Sequence, residues 1–143
     1  MPYERSTTVN CTPDKAFAYV SDIAKHADWS THGLEVEKTS EGPVAIGSTY
    51  ATTGHLMGTH KAEVRIVDLV PNEKVVYECS DDTGQFRHYI SVAPENGATR
   101  LTKGVEPIKT NTLLTILGPF RGLIIPRGLA ADLRRIKHKL EAA

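Results

Sequence analysis

Net charge is missing from this chain. Across 143 residues, 17 Lys and Arg side chains balance 17 Asp and Glu, so no bulk field recruits nucleic acid or anionic lipid. Cysteine is scarce. Cys11 and Cys79 stand far apart with no metal-ligand spacing around them, the usage of free thiols in a reducing cytoplasm. Long apolar runs are lacking too. The greasiest stretch, Leu113 to Ile125, falls short of the roughly 20 residues that cross a bilayer and is broken by Gly118, Pro119, Arg121 and Gly122. This argues against stable membrane insertion. The opening "MPYERSTTVN" carries polar and acidic residues where a signal peptide needs an apolar stretch, which predicts a cytoplasmic location. No Gly-rich phosphate loop, no GxSxG elbow and no locally supported Cys–His pair is present. The six histidines do not help: His26 with His32, and His55 with His60, lack a ligand spacing, since neighbours on one strand face are two apart. Neither metal nor cofactor is expected.

What is there is ordinary globular material, 40% hydrophobic and 24% charged, enough for a core. No repeat, linker or low-complexity tract divides it, so residues 1–143 are expected to form a single domain. Residues 3–9 read as a strand. In "NCTPDKAFAYVSD" Thr12 is placed as an N-cap, Pro13 suits the first helical position and Asp14 the positive helix end. "IAKHADWS" reads as a second short helix. From Leu34 the pattern switches to period two, punctuated by turns at "EGPVAIG", "VPNEK", "DDTG" and "APENGA", which predicts about six consecutive antiparallel strands. After Pro107 the chain is expected to become helical, with a kink near Pro119 or Pro126. A long antiparallel sheet twists and curves; the last helix is the only element long enough to cover its inner face.

The stretch "TPDKAFAYVSDIAKHADWS", the strand opening "IGSTY" and the segments "VDLVPNEKVVYEC" and "NGATRLT" resemble, in this order, the START-like, Bet v 1-like superfamily, the polyketide cyclase/dehydrase and lipid-transport group. The resemblance runs along essentially the whole chain. It implies an α+β helix-grip fold: a curved antiparallel sheet of about seven strands wrapped around a long C-terminal helix, with two short helices after strand 1 and a cavity between sheet and helix. The chain departs from that pattern at "LGPFRGLIIPRGL", where the family's last helix is more continuous. The superfamily includes ligand carriers, cyclases and interaction modules, so function has to be argued from the site.

On the last helix Ile125, Leu129, Leu133, Ile136 and Leu140 recur at four, four, three and four residues and form one apolar stripe, with Asp132, Arg134, Arg135 and Lys139 largely off it. Extended backwards, the stripe meets Gly122 and Gly118, which either leave room for a ligand or punctuate a loop. The basic run "RRIKHK" reads as a solvated helix face. In the hairpins, alternation directs Val75, Tyr77 and Cys79 inward, opposite Phe86, His88, Ile90 and Val92, with Tyr77 facing His88 and Cys79 facing Phe86. The parity of Leu101 and Val105 brings Lys103 to the same face. Three polar groups, Tyr77, His88 and Lys103, thus converge on a greasy surface. Either they meet an anionic or carbonyl-bearing ligand, or Lys103 snorkels to the rim and His88 is a satisfied core residue. Trp29 and Tyr50 are further candidates for the cavity wall. Glu63, Asp68 and Glu78 fall on solvent-facing parities and make no carboxylate pair.

Three functions fit: a cofactor-free binding protein for a small hydrophobic molecule of lipid, polyketide or isoprenoid type; a cyclase or dehydrase-like enzyme in which His88 exchanges protons while Tyr77 and Lys103 polarise a carbonyl; or an interaction module with a vestigial cavity. No nucleic acid partner is expected, and a homodimer is open.

Overall fold

The computed structural model describes residues 3–30, 34–55, 59–81, 84–110 and 118–142, without the side chains of Thr110 and 118–124. Strand β1 (Tyr3–Val9) leads into helix α1 (Pro13–Val20) and a 3₁₀ helix (Ile23–Asp28). Strands β2 (Glu35–Lys38), β3 (Thr49–Gly54), β4 (His60–Val70), β5 (Lys74–Asp81), β6 (Gly84–Glu95) and β7 (Ala98–Thr110) follow, and α2 (Gly118–Ala142) closes the chain. All seven strands join one curved antiparallel sheet in the order β1-β7-β6-β5-β4-β3-β2. This is the helix-grip architecture.

Local chemistry explains most boundaries. Pro13 starts α1 with its ring preset for a helix. Thr12 occupies the N-cap in extended geometry, but its side chain makes no capping hydrogen bond. The second short helix is 3₁₀ rather than α: the Asp22 side chain accepts from the Ala24 N–H at its start, and Trp29 ends it. At the β6–β7 hairpin Asn96 and Gly97 both take positive φ, 49° and 82°, the conformation a two-residue turn needs to match strand twist.

Two bulges set the inward faces. One, between Ile66 and Asp68, leaves Val67 36% exposed. The other lies between Gln85 and Phe86, where Ile108 of β7 is passed over. Because the second sits at the start of β6, before His88, the pairs His88↔Val105 and Ile90↔Lys103 stay in phase.

Strand β7 outlasts the expected switch to helix at Pro107, continuing to Thr110. Tyr3↔Val105 is the last described pair with β1; beyond it no described residue flanks β7 on that side, a position where proline is tolerated. Helix α2 starts at Gly118 and runs through Pro126, so 118–128 is helix and not loop. On α2, Leu129, Leu133, Ile136 and Leu140 are buried, and the last three join the core with Phe17, Val20, Ile66, Val75, Ile90 and Leu101. The far end of α2 is tied to β1: Lys137 Nζ donates to the Thr8 carbonyl at 2.6 Å, and Glu141 accepts from the Asn10 N–H at 2.8 Å.

Candidate functional site

The inner sheet face is largely apolar, and Tyr77, His88 and Lys103 stand among its apolar residues on β5, β6 and β7. Register places Tyr77 directly opposite His88 and Cys79 opposite Phe86, as the strand alternation predicts. The Tyr77 and His88 rings stack, 5.1 Å between centroids and 2° from parallel. Lys103 lies on the same face and is only 4% exposed. It does not snorkel. Its Nζ sits 3.6 Å from an Asp132 carboxylate oxygen on α2 and 5.6 Å above the Trp29 ring.

The 3₁₀ helix supplies the opposite wall. The His26 ring lies 4.5 Å from Trp29 and edge-on to Tyr77 at 5.4 Å. Its Nε2 is 2.9 Å from the Val20 carbonyl; a carbonyl only accepts, so Nε2 carries the proton and Nδ1 is an acceptor. Trp29 is 3% exposed, and its indole N–H is buried without a hydrogen-bond partner among the described residues. Sheet, 3₁₀ helix and α2 therefore meet in one polar cluster of His26, Trp29, Tyr77, His88, Lys103 and Asp132.

Burial dominates its electrostatics. It pulls the His26 pKa down to about 3, helped by the Lys103 charge and opposed by the Val20 bond. It holds the Tyr77 phenol well above its usual value and pushes the Cys79 thiol up to about 12. The Lys103 amine is lowered by burial, while Asp132 acts in the opposite sense. At neutral pH the His26 imidazole, the phenol and the thiol are all uncharged, and Lys103 with Asp132 forms an ion pair among them.

The other sequence candidates lie around this cluster or apart from it. Phe86 is half-buried on the same face. Tyr50 is fully buried on β3, in line with Val64 and Cys79, as part of the hydrophobic core. Gly118 and Gly122 lie on the first turns of α2; whether they leave space opposite lies outside the described residues. Sequence reasoning missed His26 and Asp132. Asp132 stands three residues after Leu129 and four before Ile136, hence on the flank of the apolar stripe. His26 stands three before Trp29, one turn of a 3₁₀ helix. Both signals were present.

Among the described residues no group of three or more His, Cys, Asp or Glu side chains could hold a metal ion, and no helix is long and apolar enough to cross a membrane. The outer face of α2 carries a separate open depression of about 450 Å³ lined by Asp28, Ala131, Arg134, Arg135, His138 and Lys139.

Residues 3–143 match the model of the family described as polyketide cyclase / dehydrase and lipid transport. The chain belongs to that family. No curated protein matches this family member significantly in sequence, but solved structures share its fold. TTHA0849 from Thermus thermophilus superposes with a TM-score of 0.77 at 11% identity, covering 99% of this chain and 98% of that one. The di-domain ARO/CYC StfQ from the steffimycin biosynthetic pathway gives 0.79 at 16% identity, covering 99% of this chain and 50% of its own. Ara h 8.0201 gives 0.67 at 12% identity over 100% and 99% of the two chains. At such identities the likeness is one of fold, and the polyketide cyclase / dehydrase and lipid transport family does not by itself say which residues act.

Proposed function

We propose that this chain binds a small hydrophobic molecule of lipid, polyketide or isoprenoid type between the curved sheet and α2. The observation that carries the reading is the polar cluster sunk into an apolar face: Tyr77 and His88 stacked, with Lys103 buried beside Trp29. The Trp29 indole N–H of that cluster has no hydrogen-bond partner among the described residues; a buried polar group left unsatisfied costs about 1–3 kcal/mol, a cost that a ligand can offset. In this reading Val75, Ile90 and Leu101 face the carbon skeleton, while Tyr77, His88 and Lys103 orient its polar end. Trp29, Tyr50 and Phe86 are assigned to the wall, and Gly118 and Gly122 to the roof. The family membership supports the reading, since its description spans lipid transport and polyketide cyclisation.

The protonation states of Tyr77, Cys79 and His26 speak against these three as acid–base groups. A proton-transfer group works best with a pKa near the operating pH, yet Tyr77 and Cys79 are held far above it and His26 far below. A cyclase-like reaction would rest on His88 with Lys103.

Native mass spectrometry of the protein purified from its own host tests this. The expected result is a co-purifying apolar molecule that His88→Ala releases or weakens, with thermal stability nearly unchanged. A chain of bare mass that takes up no member of a hydrophobic ligand panel would end the proposal. A large stability loss in His88→Ala with binding intact would mark His88 as a core residue.

A further inference from the structure

The binding reading leaves the chemistry of the ligand's polar end open, and the cluster narrows it. An indole N–H can only donate. Trp29 Nε1 is buried with no partner among the described residues, so what completes it must be an acceptor. Lys103 stands over the same ring, 5.6 Å from its centroid, and adds further donor hydrogens. The charge count is equally specific. Lys103 and Asp132 oppose each other at 3.6 Å with side chains 5% and 14% exposed, and His26, Tyr77 and Cys79 are neutral at physiological pH. His88 apart, whose ring stacks on Tyr77, these groups therefore sum to zero before anything enters. A carboxylate would bring a buried negative charge with no spare cation among them to meet it; Lys103 could serve it only by leaving Asp132 uncompensated in turn. A carbonyl oxygen accepts equally well and brings no net charge.

Resting on the binding reading above, we propose that the ligand presents an uncharged carbonyl oxygen, that of a ketone, quinone or ester, to Trp29 Nε1–H, polarised by the adjacent Lys103, and that the site discriminates against carboxylates. Trp29 is then a binding and specificity residue as well as a packing one.

Matched ligand triads test this on the full chain near neutral pH: methyl undecyl ketone against dodecanoate and tridecane, and acetylnaphthalene against naphthoate and ethylnaphthalene. Binding is read by calorimetry and, for the aliphatic triad, by the emission of Trp29, the one tryptophan of the chain. In at least one triad the ketone should bind at least tenfold more tightly than both its acid and its hydrocarbon. Trp29→Phe should erase the preference over the hydrocarbon. An isotope-labelled carbonyl should show its infrared stretch moved to lower frequency on binding, a measurement that needs no variant to fold. A carboxylate that binds as tightly as the ketone overturns the proposal. So does a hydrocarbon that binds as tightly, or an unshifted carbonyl band, since either means that Trp29 makes no bond to the ligand. Failure of all six compounds to bind counts instead against the binding reading itself.

Discussion

His26 enters the folded protein neutral, its Nε2–H on the Val20 carbonyl and its pKa held at about 3 by burial against an ordinary 6.5. Between those values the unfolded chain binds more protons than the folded one. The contribution is therefore fully present above pH 6.5 and lost as pH falls toward 3, at about 1.4 kcal/mol per unit where the difference is a full proton. Lys103, whose charge lowers the His26 pKa, adds to the effect. Urea midpoints measured from neutral pH down to about pH 4 should fall for the native chain, and the slope should flatten in His26→Phe even if that variant is weaker at pH 7. On the outer sheet face Tyr89 lies over Gly104 and bonds the Glu4 carboxylate. A Cβ at Gly104 would overlap the Tyr89 ring. Gly104→Ala should therefore expel the ring and cost about 1–2 kcal/mol; Tyr89→Ala should cost a similar amount, and the double variant little more than either alone, as chemical denaturation will show. Tyr77, His88 and Lys103 were legible in the sequence because strand parity is strict and short turns hold the register. His26, Trp29 and Asp132 belong to helices whose docking no local period specifies, so their meeting with those three was not.

At the scale of elements, the Lys103–Asp132 pair fastens α2 to β7, and Lys137 with Glu141 fastens its end to the chain around Thr8 and Asn10. Removing one member of a buried pair strands the other, which typically costs about 3–5 kcal/mol, while replacing both by apolar groups is often nearly neutral. Asp132→Ala should lower stability by that amount in urea titrations, and Lys103→Met combined with Asp132→Leu should recover most of it. Equal destabilisation in the single and double variants would mean that the pair does not hold the helix. The apolar stripe of α2 could be read from spacing alone. Its start could not, because glycine and proline speak locally against helix, yet α2 begins at Gly118 and runs through Pro126. The length of β7 was hidden for a related reason: Pro107 is a breaker inside a sheet but not on the stretch that β1 no longer accompanies. The basic run near the end is a solvated face, with Arg134, Arg135, His138 and Lys139 exposed and Lys137 bonded to the Thr8 carbonyl and Glu141 at its margin.

At the scale of the molecule, the sheet, α1, the 3₁₀ helix and α2 share a core that reaches from Val9 to Leu140, with Trp29 inside it at 3% exposure. Trp29 fluorescence and far-UV circular dichroism should report the same denaturation midpoint; an earlier fluorescence transition would reveal that α2 or the 3₁₀ helix lets go before the sheet. The two edges of the sheet are β1 and β2, neighbours in sequence but at opposite ends in space. Among the described residues, strand β1 pairs with residues 99–105 of β7, and the Asn10 N–H donates to Glu141. During synthesis the first strand thus emerges from the ribosome long before anything exists for it to pair with. Such distant closure slows folding and leaves an open strand edge exposed meanwhile, so the nascent chain has reason to depend on chaperone shielding until its final helix is free of the exit tunnel.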